Sequence, residues 1–280
     1  MTGTLYLVGT PIGNLEDMTF RAIRILKEAD LIACEDTRTS QPLLRHFEIG
    51  TPLTSYHKYN ENEKSEALIS KLLEGKNVAL ISDAGMPVIS DPGSILVKNC
   101  REYHIPVTVV PGPNAGLTAL VMSGMDTRRF IFEGFLPQEN KEKTAVLESL
   151  KKETRTTVFY EAPHRLVKTL HTFYENLGER EVAISRELTK KFETVEVMKL
   201  SEALKKYENE SPRGEYVLVL NGADPEALAK EEKSKWENMS ISDHVAFYED
   251  QGMSRKDAMK AAAADRGVTK RDIYKALLEE

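Results

Sequence analysis

The chain has 280 residues, with 38 Lys+Arg against 44 Asp+Glu and a formal net charge of −6. Hydrophobic residues make up 41% and charged residues 29%, which excludes disordered and collagen-like classes. At roughly 150 residues per domain the length gives about two domains, long enough to bury cores without disulfides or metals. Two cysteines, Cys34 and Cys100, exclude a disulfide framework and a Cys-rich zinc site, and they point to an intracellular, reducing compartment. No basic segment followed by an apolar run opens the chain, and no stretch approaches about 18 uninterrupted apolar residues. Neither a signal peptide nor a membrane span is expected. The acidic balance argues against indiscriminate coating of nucleic acid but leaves room for a local basic surface.

Short apolar runs alternate with amphipathic segments, the pattern of α/β architecture. Leu5–Val8, Leu31–Cys34, Val78–Ile81 and Val107–Val110 read as buried strands, and Thr19–Ala29 reads as a helix between the first two. Each strand ends in a polar turn: Gly9 onward, Glu35-Asp36-Thr37-Arg38, Ser82-Asp83-Ala84-Gly85, and Pro111-Gly112-Pro113-Asn114. Four such ends in a row suggest a shared ligand edge, because ligands of open parallel sheets sit beyond the carboxyl ends of the strands.

The second half changes character. Phe130–Phe132 and Thr156–Tyr160 read as strands around a charged helix at Asn140–Lys152. Glu181–Glu187, Glu193–Leu200 and Glu215–Leu220 follow with little helix between the first two, and period-two alternation at 193–199 indicates a mixed sheet. The break between halves is expected between Pro111 and Arg129. Pro225–Met239, a charged helix or linker, carries Trp236, the one tryptophan.

Three short helices are expected at the end: Ile241–Gln251, Ser254–Arg266 and Thr269–Leu278. Ser254 and Thr269 are placed as N-caps, with Gly252 and Gly267 at the breaks. From Ser254 to Ala276, seven Lys/Arg stand against three Asp, a net of +4 inside an acidic chain. A basic helical unit of this kind hints at nucleic acid, and an ordinary solvated face explains it equally well.

The chain carries no phosphate loop, dinucleotide fingerprint, nucleophile elbow or paired-histidine zinc motif. His46, His57, His104, His164, His171 and His244 lack metal spacing, and His164 and His171 are expected on one helix face two turns apart. No metal is expected. Gly13 permits close backbone approach, and Asp17 is placed to cap the helix that follows. Asp91 is placed to cap a helix begun by Pro92, and Asn114-Ala115 opens another whose free N–H groups face a ligand. These loops describe a small-molecule cleft without naming the molecule.

The ordered motifs VGTPIGNLED, EDTR, SYHKYNE, SDAGMPVISDPG, PGPNAG, FEGFLP, YEAPHR, SRELTK and GEYVLVL closely resemble the RsmI family of small-subunit rRNA (cytidine-2′-O)-methyltransferases, within the tetrapyrrole-methylase fold group. The resemblance runs from Leu5 to Leu220. It implies two α/β subdomains with S-adenosylmethionine in the cleft between them, a homodimer, and methylation of a decoding-centre cytidine ribose on the assembled small subunit. The expected divisions are residues 1–114 and 115–224 for the subdomains and 225–280 for a small C-terminal helical module. By position in the motifs, the resemblance implies cofactor contacts at Pro11, Ser82, Asp83, Ala84, Gly85, Met86, Asn114, Ala115, Ala162 and Tyr216. Ser82 and Ala84 depart from the Gly and Pro of the porphyrin-methylating branch.

A ribose hydroxyl is a weak nucleophile and benefits from a base that takes its proton. Asp36 is the first candidate, at a strand end on the ligand edge with Arg38 two residues on; Glu35 and His57 follow, then Glu187 beside Arg186 and Lys190. An ion network that merely holds the loop explains Glu35–Arg38 as well. Arg38, Arg165, Arg186 and Lys190 are candidates for RNA phosphates, and Tyr56 and Tyr59 for stacking on an unpaired base. Two other readings remain open here: a methylase of the same fold acting on a tetrapyrrole or a modified protein residue, and a ribosome-binding assembly factor without turnover.

Overall fold

The computed structural model describes residues 1–279; Glu280, the last residue of the expected C-terminal module, lies outside the described residues. The described chain forms two compact units, one of residues 1–148 and 155–221, the other of residues 149–154 and 222 onward.

The first unit holds two five-stranded sheets. Strands β1 (Leu5–Val8), β2 (Leu31–Cys34), β3 (Leu53–Ser55), β4 (Val78–Leu80) and β5 (Val107–Val110) form an all-parallel sheet in the order β3-β2-β4-β1-β5. Both faces are covered, which is why its central strands read as unbroken apolar runs. Val8, Ile32, Cys34 and Ala79 point toward Ala22, Ile25 and Leu26 of α1 (Phe20–Glu28) and Leu44 of α2 (Thr37–His46). Leu5, Leu7, Ala33, Val78 and Leu80 face Leu68, Ile69 and Leu72 of α3 (Glu61–Leu73) and Leu96 and Cys100 of α4 (Ser94–Glu102). The period of two along each strand thus feeds two separate apolar layers.

The second sheet is mixed, in the order β6-β7-β10-β8-β9. Strands β6 (Phe130–Phe135) and β7 (Thr156–Glu161) are parallel; β8 (Glu181–Arg186), β9 (Thr194–Lys199) and β10 (Tyr216–Leu220) join antiparallel. Helix α5 (Ala115–Ser123) packs Ala119 and Leu120 against Val158, Ala183, Val217 and Val219. On the alternate strand positions, Phe159 meets Phe173 of α7 (Leu166–Leu177) at a ring distance of 5.0 Å. Helices α6 (Asn140–Lys152) and α8 (Leu200–Tyr207) complete the connections.

Several expected features move. Thr19, not Asp17, caps α1, its hydroxyl accepting from the Ala22 N–H; Asp17 ends a short 3-10 turn instead. The helix expected from Pro92 starts at Ser94 with Gly93 as its N-cap, so Asp91 is no cap. Gly93 sits at φ 138°, a conformation that side chains disfavour. His164 lies in a 3-10 turn at Pro163–Arg165 and His171 in α7, so they do not share a helix face.

In the second unit, helices α9 (Pro225–Glu237), α10 (Ile241–Glu249), α11 (Arg255–Arg266) and α12 (Lys270–Glu279) follow in order. The last three close over Val245, Ala258, Ala262, Ala263 and Ile273. Ser254 caps α11 and Gly267 ends it in the left-handed conformation, as the spacing predicts. Among the described residues, no helix is long and apolar enough to cross a membrane.

Candidate functional site

The loops beyond the first sheet's carboxyl edge are stitched together before they build anything. Thr10 and Gly85 exchange backbone hydrogen bonds of 2.9 and 3.1 Å, and the Thr10 hydroxyl reaches the Ser82 and Gly85 carbonyls at 3.3 Å. Beside this bridge, Gly9 and Gly112 pass so closely that a Cβ on Gly9 would lie 2.7 Å from the Gly112 Cα. Only glycine permits that approach. Farther along the same loop, Val88 (φ 76°) and Ser90 (φ 64°) are held left-handed, at a cost of about 1–3 kcal/mol each. The Glu61 carboxylate fixes the far end by accepting from the Gly93 N–H at 2.8 Å.

These loops wall a cavity of about 370 Å³ within the first unit, in the size range of small-molecule sites. From the first sheet come Ile12, the segment Asp83–Met86, Ile89–Asp91, and Asn114-Ala115 at the start of α5. From the second come Phe135, Tyr160, Glu161, Ala162, Pro163, Leu188 and Glu215 through Val217. Of the residues expected to touch cofactor, Asp83, Ala84, Gly85, Met86, Asn114, Ala115, Ala162 and Tyr216 line it together. Pro11 and Ser82 do not; Ser82 is buried beside the cavity wall, its hydroxyl donating to the Ala84 and Gly85 carbonyls at 3.2 Å. Sequence reasoning missed Asp91, whose Asp-Pro context resembled a helix start.

The wall is acidic, and its carboxylates differ in environment. Burial, with the neighbouring Glu35 charge, pushes the Asp91 carboxyl up to about 6. Burial also raises Asp83, to which the adjacent Asp36 charge adds. Glu161 is fully pinned: it accepts from the Ala162 N–H at 2.8 Å and the Thr169 hydroxyl at 2.5 Å, and Arg165 lies 3.4 Å away. That arrangement sets the Ala162-Pro163 corner. It also removes Arg165 from the RNA-contact candidates, since its guanidinium donates to the Leu136 carbonyl and is largely buried.

Glu35, Asp36 and Arg38 stand beside the cavity rather than in its lining. The Asp36 N–H donates to Asp83 at 3.3 Å, while the Asp36 carboxylate caps α2 through the Arg38 N–H and receives the Arg38 guanidinium at 2.8 Å. Those hydrogen bonds from Arg38 hold Asp36 below the usual carboxylate range. Glu35 is its opposite: burial raises it first, and the Asp83 charge adds to the rise. Tyr56 is corrected as a stacking residue, being 1% exposed with its hydroxyl on Ser65 and Glu61, whereas Tyr59 is 95% exposed. Lys190 is fastened between Glu187 at 3.0 Å and Glu215 at 2.7 Å, and Arg186 donates to the Arg213 carbonyl.

Residues 4–204 match the model of the Tetrapyrrole (Corrin/Porphyrin) Methylases. A Bacillus subtilis protein called Ribosomal RNA small subunit methyltransferase I is 49% identical over 98% of this chain and 94% of its own length. A Thermotoga maritima protein of the same name is 48% identical over 79% of this chain and all of its own length. The chain belongs to the tetrapyrrole methylases, in the ribosomal RNA small subunit methyltransferase I family. Among solved structures, the methyltransferase acting on cobalt precorrin-4 superposes with a TM-score of 0.59 at 18% identity, covering 78% of this chain and 94% of its own, and shares the fold.

This tetrapyrrole methylase is a methyltransferase, and its cofactor is S-adenosylmethionine. The cavity fits that ligand. Ile12, Met86, Leu188 and Val217 offer apolar surface for a nucleoside, and Asp83 and Asp91 offer carboxylates to a molecule bearing a sulfonium and an ammonium. No phosphate has to be held, in keeping with a chain that has no phosphate loop. Among the described residues, no group of three or more His, Cys, Asp or Glu could hold a metal ion.

Proposed function

We propose that this tetrapyrrole methylase transfers a methyl group to the ribose 2′-hydroxyl of a decoding-centre cytidine in small-subunit (16S-type) rRNA, acting on the assembled subunit in the cytoplasm. The observation that carries the substrate is the near full-length identity to proteins called ribosomal RNA small subunit methyltransferase I. Residues 1–114 and 115–224 serve as the two halves that frame the cofactor, and 225–280 as an appended module. A homodimer is supported by α5, which is apolar all round yet leaves Leu117, Val121 and Met122 exposed.

Bound in this cavity, S-adenosylmethionine would supply an electrophilic methyl on sulfonium sulfur, to pass to the hydroxyl oxygen while the electron pair of the broken S–C bond stayed on sulfur. Asp91 and Asp83 oppose the ligand's positive charge, Asn114 and Ala115 present helix N–H groups, and Ala162 and Tyr216 close the opposite wall. Pro11 and Ser82 support the wall from behind. Glu35 accepts the hydroxyl proton. A carboxylate lifted by burial is the better proton acceptor near neutral pH, whereas Asp36 is already committed to Arg38 and to the start of α2. Asp36 and Arg38 therefore hold the loop that presents Glu35.

Incubating the purified protein with labelled cofactor and small subunits tests this reading. The label is expected on a ribose 2′-oxygen of a cytidine in the recovered rRNA. Transfer to a tetrapyrrole with none to the subunit would overturn it.

A further inference from the structure

The second unit distributes its charges unevenly. Its three aspartates between Ser254 and Ala276 are all engaged. Asp257 accepts the Ser254 hydroxyl at 2.6 Å, Asp272 accepts the Thr269 hydroxyl at 2.6 Å, and Asp265 accepts from Tyr248 and faces His244 at 3.2 Å. Arg266 is likewise internal, donating to His244 Nδ1 at 3.0 Å and to the Ser240 carbonyl. The fully buried His244 stacks on Trp236 at 3.9 Å.

The remaining cations behave differently. Arg255, Lys256, Lys260 and Arg271 are exposed and Lys270 is half-exposed. Arg255, Lys256, Lys260 and Lys270 form no ion pair among the described residues. Two segments repeat one pattern, Ser254-Arg255-Lys256-Asp257 and Thr269-Lys270-Arg271-Asp272: a capping hydroxyl, two cations, then the aspartate that completes the cap. Folding gains little from these cations, although Arg271 lies close enough to Asp272 to favour its charge. The first turn of a helix disfavours positive charge, and Lys256 and Lys260 repel each other as like charges four residues apart. Five solvent-facing cations, in a stretch whose three aspartates are engaged in caps and core, call for an external polyanion.

The spacing indicates its kind. Helix α11 has 12 residues, so about 18 Å of helix separates the Arg255-Lys256 pair from the start of the turn into Lys270-Arg271. One small anion cannot bridge that span, but a nucleic acid backbone can. The family model ends at residue 204, so α10–α12 lie outside the shared methylase body.

We propose that α11 and α12 form a docking surface for the rRNA phosphate backbone of the small subunit, with Arg255, Lys256, Lys260, Lys270 and Arg271 as its contacts. The proposal rests on the rRNA reading above, and it adds an anchoring site separate from the catalytic cavity. The contacts are to phosphate, so they supply affinity without reading sequence.

The test is the full-length variant Arg255→Gln, Lys256→Gln, Lys270→Gln, Arg271→Gln, measured for direct binding to small subunits and to protein-free 16S-type rRNA across a salt series. Both affinities are expected to fall about 10–100-fold near physiological salt, and the slope of log affinity against log salt to flatten by about 3–4. Circular dichroism and calorimetric affinity for S-adenosylmethionine are expected to stay unchanged. Unaltered binding to both RNAs would overturn the proposal. A loss confined to intact subunits, with protein-free rRNA bound normally, would also overturn it in favour of an acidic ribosomal protein. Direct binding is read without turnover, so a chain that binds rRNA but never methylates it would defeat the catalytic reading and leave the docking surface standing.

Discussion

The cavity edge and the three-helix unit use charge in opposite ways. At the edge, Glu35, Asp83 and Asp91 crowd negative charge into a half-buried wall, where each neighbour makes the next harder to ionise. Along α11 and α12, Arg255, Lys256, Lys260 and Arg271 stand in solvent, while the three aspartates between Ser254 and Ala276 are engaged in caps and core. Crowded, desolvated carboxylates are unstable until a cation arrives, so they signal a compact positive ligand. Solvated cations cost the fold little and act only through a partner with many negative charges. The net charge of −6 averages these two devices and describes neither.

The most severe way to break the cavity half of this comparison is to neutralise its proton acceptor. Glu35→Gln is expected to lower the single-turnover rate of methyl transfer by about 10²–10⁴-fold, with calorimetric cofactor affinity nearly unchanged. A rate within threefold of the native enzyme would remove Glu35 from the mechanism. The native rate should also fall with acid, because Glu35 must be ionised to accept a proton and its carboxyl is raised above the ordinary range.

Asp91→Asn tests the wall itself. Losing one charge-assisted contact to a cationic ligand is expected to weaken S-adenosylmethionine binding by about 10–100-fold, read by calorimetry. The ligand-free protein should respond in the opposite direction. A carboxyl raised to about 6 in the fold resists ionisation there more than in the unfolded chain. The contribution of Asp91 to stability is therefore fullest below the ordinary aspartate range and is lost as pH rises through about 6. Melting temperatures of the native ligand-free protein at pH 5 and pH 7.5 are expected to show that decline, and Asp91→Asn to flatten it. A native protein that melts higher at pH 7.5 than at pH 5 would contradict the assignment.

How much of this was legible in the residues depended on whether the signal was local. The three central strands β1, β2 and β4 announce themselves because both faces are covered, so each is an apolar run stopped by a polar turn; Val107–Val110, expected as buried, is instead an edge strand with Thr108 and Val109 exposed. Strand β3 gives no such run: Leu53–Ser55 is three half-buried residues at the sheet's edge. Helix α2 hides behind Pro42 and a polar sequence. Most of the cavity's loops were recognisable by motif, yet Asp91 was misread because Asp-Pro favours a helix start. The helix waits instead for Gly93 at φ 138°. The neighbours Glu35 and Asp36 are chemically almost equivalent as letters. Their difference is set by the fold, through burial and then the Asp83 charge on Glu35, and by the hydrogen bonds that Arg38, two residues on, gives Asp36.

That difference gives the mildest test, and it falls on the residue that the sequence favours as base. Asp36 caps α2 by accepting the Arg38 N–H, and its second oxygen receives the same residue's guanidinium. Removing a cap of this kind is expected to lower the melting temperature by about 2–4 °C. Asp36→Ala should therefore melt slightly earlier and, assayed well below that temperature, transfer methyl within about tenfold of the native rate. Asp36→Asn keeps a capping oxygen and should recover most of the stability. A Glu35-like loss in both variants, at unchanged melting temperature, would return the proton to Asp36 and make the Arg38 pair part of the catalytic apparatus. The two neighbouring carboxylates are thus separable by which observable moves: rate for the buried one, stability for the one that holds the helix.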